Sequence, residues 1–271
     1  MARDVLSRNN VCLAGNPDAA QALVFVNGLG TDQSVWNHVI PCFQADYRLV
    51  LFDHVGSTES NLEDFRARQL RYLNVSGYAS DLLEICSALN LGSDTILVGH
   101  SLGGLAGLLA SVQCPQQFKK LALLGMSPRY ENEGGYEGGF SKADIDASYE
   151  ALATDYASWA NSLSVAAMQA PERPELATRF AESIARIPKD IMLTVLCSVL
   201  QTDHRSALPE VPVPVLLIQS RDDIFVPLAV AQYVQAHTRD CQLSIIDASG
   251  HLPHVTAPQK VIEAIGGFIG Q

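Results

Sequence analysis

Short apolar runs alternate along most of the chain with stretches in which apolar residues recur at helical spacing. Uninterrupted apolar runs are typical of strands buried on both faces of a parallel sheet. They occur at residues 23–26, 48–52, 96–98, 120–125, 213–219 and 243–246. Helical patterns are predicted after residue 103 and at 35–40, 75–91, 228–236 and 258–268. The alternation predicts a mostly parallel, doubly wound α/β sheet, in which ligands bind beyond the carboxyl ends of the strands.

The alternation stops between Pro128 and Arg205. A glycine-rich connection is followed there by helical patterns separated by prolines. These patterns cover residues 142–154, 156–168, 175–187 and 190–202. A block of helices inserted after a strand would lie as a cap over the strand ends, although a helical half of the main core is the alternative. We therefore predict a core domain of residues 1–127 and 206–271 and a four-helix cap (lid) of residues 128–205.

Composition and charge narrow the classes of function. A chain of 271 residues is near the upper limit for one core, and a net charge of −11 argues against nucleic acid or an anionic membrane as a partner. No apolar run has the length of a membrane span, and the first residues lack a signal-peptide pattern, so the expected location is cytoplasmic. The six cysteines are scattered without metal-ligand spacing. We expect them to be reduced, and we expect no metal and no cofactor.

The most informative stretch is residues 94–105, DTILVGHSLGGL. It reads as a strand, a sharp turn and a helix, with Ser101 between Gly99 and Gly103. A Gly-x-Ser-x-Gly turn in this setting is typical of a nucleophile elbow, which lifts the serine hydroxyl above the sheet edge. The five-residue pattern alone is weak, and a tight turn whose serine merely caps the helix is the alternative. The flanking strand and helix favour a nucleophile.

Two further candidate groups follow later strands. The order Ser101, then Asp222 or Asp223, then His251 is the order expected of an α/β-hydrolase. A serine hydroxyl is a poor nucleophile, so an imidazole must accept its proton. A carboxylate must hold that imidazole in the required tautomer and stabilise its cation. These residues therefore predict a Ser-His-Asp catalytic triad.

Alternatives remain for the base and for the acid. His251 is the predicted base, and His254, one turn later, is the competitor with a packing or hydrogen-bonding role as its other interpretation. Asp223 is favoured as the acid because its spacing to Pro227 places it at the end of the strand. Asp222 is then expected to cap a helix or to face solvent.

Two backbone N–H groups are the predicted oxyanion hole. They belong to Leu102, directly after the serine, and to Leu29, in the loop after the first apolar strand. His100 and Asn27 lie in the same neighbourhood, and we expect both to position loops.

Three longer motifs carry a resemblance to a known family. They are residues 30–36 (GTDQSVW), 136–140 (YEGGF) and 250–254 (GHLPH). The chain resembles the RsbQ-type α/β-hydrolases, which comprise the bacterial RsbQ stress regulator and the plant karrikin and strigolactone receptors, over nearly its whole length. Asn27 and Leu29 stand where the plant receptors commonly have His and Phe, so the plant hormone specificity is not carried over. Residues 53–57 (DHVGS) are nearer to the bacterial form.

The resemblance implies an α/β-hydrolase fold under a V-shaped cap of four helices, with a small apolar cavity above Ser101, Asp223 and His251. For any one wall residue the alternative is ordinary cap packing. The implied wall consists of Leu29, Tyr130, Phe140, Trp159, Leu163, Phe180, Val199, Leu200, Ile224 and Phe225.

Three functions are consistent with these patterns. We expect a serine hydrolase of a small apolar ester or lactone that acts as a ligand-sensing, signalling hydrolase in a stress response. In RsbQ-like systems the partner is a phosphatase with a PAS domain, and the resemblance implies such a partner here. A metabolic carboxylesterase or lactonase without a partner, and a non-catalytic ligand-binding receptor, are the alternatives. A haloperoxidase-like activity is a minor one.

Overall fold

A central sheet organises the computed structural model, which describes residues 3–270. Seven strands lie in the order β1-β3-β2-β4-β5-β6-β7. Only β1 runs antiparallel, against β3, and every other pair is parallel. The strands are β1 (Cys12–Gly15), β2 (Ala22–Val26), β3 (Arg48–Phe52), β4 (Thr95–His100), β5 (Phe118–Leu124), β6 (Val215–Asp222) and β7 (Cys241–Ser249). The predicted doubly wound α/β sheet is confirmed.

Helices cover both faces of this sheet. Alternate residues of a strand point to opposite faces, so Leu23 and Phe25 enter one hydrophobic cluster while Val24 and Val26 enter another. Burial on both sides explains why the strands read as continuous apolar runs. The helices of the sheet layers are α1 (Val5–Arg8), α2 (Leu62–Ala67), α3 (Ser76–Ala88), α4 (Leu102–Gln113), α9 (Leu228–His237), α10 (Pro253–Thr256) and α11 (Pro258–Ile269).

The four remaining helices lie between β5 and β6 in the chain. They are α5 (Lys142–Thr154), α6 (Tyr156–Met168), α7 (Pro174–Ala185) and α8 (Lys189–Leu200), so the predicted stretches are helical with small shifts at the ends of the last two. Local chemistry fixes their starts: Ser141 forms a capping box with Asp144, Asp155 caps α6, and Pro174 occupies the first turn of α7. The division at residues 128 and 205 remains a prediction.

One predicted helix is wrong. Residues 35–40 do not form an α-helix; the chain makes two 3-10 turns, Gln33–Trp36 and Ile40–Cys42. Pro41 has no N–H to donate, so an α-helix beginning near residue 35 could not continue through this point. Trp36 and Val39 are nevertheless fully buried, which is why the apolar spacing looked helical.

Short elements at the amino-terminal end escaped prediction. Strand β1 has no buried residue, and its four residues carry no alternating pattern that could have shown it. It pairs along the outer edge of β3. Within residues 3–270 no helix combines the length and the apolar character needed to cross a lipid bilayer.

Candidate active site

Ser101 lies in a sharp turn between β4 and α4. Its backbone has φ 51° and ψ −117°, a left-handed conformation that is costly for any residue except glycine. The turn is held because the Ser101 N–H donates to the Leu124 carbonyl (2.8 Å) and the Leu105 N–H donates to the Ser101 carbonyl (3.0 Å). A Cβ at Gly103 would come within 2.4 Å of the Asn27 carbonyl oxygen, so only glycine fits there. The local geometry is that of the predicted nucleophile elbow.

His251 reaches Ser101 from the loop after β7. The Ser101 hydroxyl donates to Nε2 of His251 at 2.9 Å. Nδ1 of the same ring donates to Oδ2 of Asp223 at 2.8 Å. Both ring nitrogens are therefore engaged, and the contact with the carboxylate fixes which nitrogen faces the serine.

Asp223 is held by four donors and lies almost entirely out of solvent. Oδ1 accepts from the backbone N–H groups of Phe225 (2.9 Å) and Val226 (3.1 Å), and Oδ2 accepts from Gln219 (3.2 Å) and from His251. Asp222, the alternative, is exposed, and within residues 3–270 its carboxylate accepts only from the Ser249 hydroxyl, at 3.4 Å. The structure thus places Asp223, and not Asp222, against the imidazole.

The main chain of His251 is fixed from two sides. Its N–H donates to the Ala167 carbonyl at the end of α6 (2.7 Å), and its carbonyl accepts from Nε2 of His100 (2.8 Å). Burial lowers the pKa of His100 well below its usual value, with the neighbouring histidines adding to the shift. His100 is therefore neutral, and its hydrogen bond holds the loop that carries His251.

His254 lies behind the site and does not touch Ser101. Its ring is fully buried, stacks on Trp36 at 4.5 Å, and finds no hydrogen-bond partner for either nitrogen within residues 3–270. Burial lowers its pKa to about 3, so it remains neutral. It has the packing role that was the alternative to a role as base.

The loop after β2 is clamped beside the serine. Nε2 of His54 donates to the Asn27 carbonyl (2.8 Å), the Asn27 amide donates to the Thr31 carbonyl (2.6 Å), and the Thr31 hydroxyl donates to the Gly28 carbonyl (2.9 Å). Leu29 lies inside this clamp. Neither its N–H nor that of Leu102 donates a hydrogen bond to any group within residues 3–270, so both donors are free for an incoming oxygen.

A cavity of about 90 Å³ opens above Ser101 and His251. Its wall is almost entirely apolar and combines the loops of the sheet with helices α5 to α8. Among the described residues, neither a lysine nor an arginine nor a carboxylate borders it. The residues around it are Leu29, His100, Ser101, Tyr130, Phe140, Ser148, Leu163, Ala167, Phe180, Leu196, Val199, Leu200, Phe225, His251 and Leu252.

Two predicted wall residues do not line this cavity. Trp159 packs between the cap helices, where its ring stacks on Tyr156 and its Nε1 donates to Ser148 at 3.2 Å. It therefore supports a wall residue without being one. Ile224 is 49% exposed because the loop after Asp223 turns its side chain to the outside while turning that of Phe225 inward.

Sequence reasoning also missed residues that the structure brings to the site. Gln219, which contacts Asp223 and donates to the Val226 carbonyl at 2.9 Å, is a buried polar residue directly after the apolar residues of β6. That interruption of the apolar run was a usable signal, since a buried amide needs partners. Ala167, Leu196 and Leu252 carried no such signal, because apolar residues at helical spacing indicate only burial.

A second, smaller cavity of about 20 Å³ lies on the other side of Leu29. Gly30, His54, Tyr78 and Met192 contribute to its wall. Since Leu29 borders both cavities, its side chain is part of the partition between them. Burial lowers the pKa of His54 to about 4, so the imidazole in the wall of this second cavity is neutral at neutral pH.

Comparison with known proteins agrees with this geometry. A sequence profile for the alpha/beta hydrolase family matches residues 23–264. The chain is 38% identical to a probable esterase of Oryza sativa subsp. japonica, over 90% of this chain and 89% of that protein. It is 34% identical to the Karrikin insensitive 2 receptor CA of Petunia hybrida, over 95% and 94%. A hydrolase from Oleispira antarctica has a similar structure, with a TM-score of 0.93 and 28% identity over 100% of this chain and 99% of that one.

Proposed function

The chain belongs to the alpha/beta hydrolase family and is esterase-like, and we propose that it is a serine hydrolase that cleaves a small apolar ester or lactone. The observation that carries the proposal is the continuous contact from Asp223 through His251 to Ser101. These contacts, at 2.8 and 2.9 Å, lie at the floor of an apolar cavity. The arrangement meets the geometric requirement for activating a serine, because nucleophile, base and orienting acid are all within hydrogen-bond distance.

Each residue has a defined step in this reaction. His251 accepts the proton of Ser101 as Oγ bonds to the carbonyl carbon, and later gives it to the departing oxygen. Asp223 keeps its negative charge and stabilises the imidazolium. The N–H groups of Leu29 and Leu102 donate to the carbonyl oxygen while it carries negative charge. Water then repeats the sequence and releases the acid from Ser101.

The cavity supports an uncharged, apolar substrate. A charged group entering it would lose its hydration without gaining an ionic partner, because none of the residues 3–270 that border this cavity is Lys, Arg, Asp or Glu. Its volume of about 90 Å³ favours a small acyl group or ring over a long chain.

The direct test is turnover of a short p-nitrophenyl ester by Ser101→Ala. We expect a loss of about 10⁶-fold relative to the unaltered protein, which is the effect of deleting a triad serine. Ser164→Ala, a buried serine that does not line the cavity, is the matched control and should retain activity. Unaltered turnover in Ser101→Ala would remove the nucleophile assignment.

We further propose that this hydrolase acts in the cytoplasm as an RsbQ-like ligand sensor. Its partner would be a PAS-domain regulatory phosphatase in a stress response. The support is the resemblance of its motifs to the RsbQ-type group and its 34% identity to a protein named as a receptor.

Affinity purification of the tagged protein, together with the identity of the neighbouring genes, tests the proposed role as a sensor. Recovery of a PAS-domain protein would support sensing. A catabolic oxygenase encoded nearby, with no co-purifying regulator, would indicate a metabolic carboxylesterase or lactonase instead.

A further inference from the structure

The Tyr130 hydroxyl is a polar group in the apolar cavity that the reaction above does not use. The side chain is 4% exposed and borders the cavity. Its oxygen lies 3.5 Å from Ser101 Oγ, and within residues 3–270 it has no closer partner. At this distance the contact with the serine is weak, since hydroxyl pairs normally approach to about 2.8 Å. The serine donates to His251 at 2.9 Å, so the tyrosine proton is free for a third atom.

Ser148 and His100 also bring polar groups to the cavity, and each makes one hydrogen bond; Nδ1 of His100 has no partner within residues 3–270, but in the neutral ring it is an acceptor and not a donor. The Ser148 hydroxyl accepts from Trp159, and Nε2 of His100 donates to the His251 carbonyl. Tyr130 differs from both because its buried hydroxyl lies next to Oγ of the nucleophile and has a proton to donate. A buried hydroxyl without a good partner costs free energy, which a bound ligand oxygen would recover.

The backbone around Tyr130 is held firmly. The Tyr130 carbonyl accepts from the Phe140 N–H at 3.1 Å, and the preceding Arg129 carbonyl accepts from the hydroxyls of Ser127 (2.6 Å) and Tyr136 (2.8 Å). The ring of Tyr136 in turn contacts Tyr233 of α9. The hydroxyl of Tyr130 is thus preorganised beside Ser101, as a transition-state donor must be.

Burial raises the pKa of Tyr130 to about 12. The phenol is therefore protonated throughout the neutral range, and it can donate a hydrogen bond but cannot serve as a base.

We propose that Tyr130 is a further catalytic residue, whose hydroxyl donates a hydrogen bond to the ester or ring oxygen that leaves the scissile carbon. This inference rests on the proposed serine hydrolase. The carbonyl oxygen already has its donors in the N–H groups of Leu29 and Leu102. The leaving oxygen and Oγ are bonded to the same carbon in the tetrahedral intermediate, so a donor 3.5 Å from Oγ on the cavity side is within reach of the leaving oxygen.

This step needs no reactant other than the substrate and the side chains already named. The Oγ–carbon bond forms as the serine proton moves to His251, and the carbon–oxygen bond to the leaving group then breaks. The proton on His251 Nε2 passes to the leaving oxygen, and Tyr130 keeps its own proton throughout. The hydrogen bond matters most where negative charge on the leaving oxygen is poorly stabilised by the substrate itself. Alkyl esters and lactones are therefore the class that depends on Tyr130.

The experiment compares leaving groups at a constant acyl group. The kcat/KM of Tyr130→Phe is measured for p-nitrophenyl, phenyl and ethyl esters beside the unaltered protein. We expect the ethyl ester to lose about 10- to 100-fold, the effect of removing a hydrogen bond to a charged oxygen, and the p-nitrophenyl ester to lose less than about 3-fold. Tyr149→Phe, which removes a cap tyrosine hydroxyl that does not border the cavity, should follow the unaltered protein across the series.

The results of this comparison distinguish a failure of the role of Tyr130 from a failure of the proposed serine hydrolase. An equal loss for all three esters, or no loss for any, overturns the role of Tyr130. The rate at which a fluorophosphonate labels the protein shows whether the serine remains activated in Tyr130→Phe, and we expect it to be unchanged within about 3-fold. Failure of the unaltered protein to cleave any ester and to be labelled would overturn the proposed hydrolase and the role of Tyr130 together.

Discussion

The floor and the roof of the cavity are built on different principles. The floor, formed by Ser101, Asp223, His251 and the loop at Leu29, is fixed by hydrogen bonds from backbone and side chains on several strand ends. The roof, formed by the lining residues of α5 to α8, consists mainly of apolar side chains held by packing. Bond-making chemistry depends on placement to about 1 Å, whereas apolar recognition depends mostly on volume and shape. The difference indicates that the floor determines the reaction and the roof selects the ligand.

One hydrogen bond joins the two regions directly. The His251 N–H donates to the Ala167 carbonyl at the end of α6, so a cap helix helps to hold the base. Gly250 permits this close approach: its φ is 90°, and a Cβ there would come within 2.4 Å of the Met168 carbonyl oxygen. The roof therefore also supports the floor at this point.

After Ser101→Ala, the largest expected effect also comes from the floor, where two adjacent aspartates have different environments. Asp223→Asn should lower kcat by about 10⁴-fold, because the amide would hold His251 in the wrong tautomer. Asp222→Asn changes an exposed side chain and should leave kcat within about 2-fold. Steady-state kinetics on one ester compare the two directly. Equal losses in both variants would contradict the assignment of the acid.

A smaller effect, on the preference for acyl chain length, is expected at Leu29, which lies between the two cavities. Leu29→Ala joins the cavities of about 90 and 20 Å³ while leaving the backbone N–H of residue 29 in place. The ratio of kcat/KM for hexanoyl over acetyl esters should rise by about 10-fold or more, since each accommodated methylene contributes about 0.8 kcal/mol. Leu163→Ala, which enlarges the first cavity from the roof, should shift the ratio less. A larger shift in Leu163→Ala would show that Leu29 is not the partition that limits chain length.

The smallest effect concerns stability against acid, because buried neutral histidines pack next to the floor and behind it. Burial lowers the pKa of His54 to about 4 and that of His254 to about 3, against about 6.5 in the unfolded chain. The unfolded state therefore binds more protons, and the free energy of unfolding should fall as the pH drops from about 6.5 toward 4. His254→Phe should reduce the slope in that range by about 1.4 kcal/mol per pH unit. Urea unfolding at several pH values measures it, and an unchanged slope would mean that His254 is not buried and neutral.

The floor could be predicted from the sequence because its residues are tied to strand ends. Ser101, Asp223 and His251 each follow an apolar run, and parallel strands place their carboxyl ends at one edge of the sheet. The contacts of the His251 main chain could not be predicted. They depend on where α6 ends in space, which no local pattern specifies.

The roof was less predictable for a physical reason. Trp159 and Leu163 are four residues apart on α6 and so lie on one helical face, yet only Leu163 of the two borders the cavity. The same periodicity predicts both as wall residues, and the packing of neighbouring helices decides which of them borders the cavity. Ile224 and Phe225 differ through the conformation of a loop, for which the sequence offered no pattern.

We propose that the floor of the cavity activates one particular serine, Ser101. Mass spectrometry of the protein after reaction with a fluorophosphonate, followed by peptide mapping, tests it most directly. We expect one adduct per chain, on the peptide that contains Ser101, and no adduct in Ser101→Ala. No adduct on the folded protein, or an adduct on another residue, would contradict it.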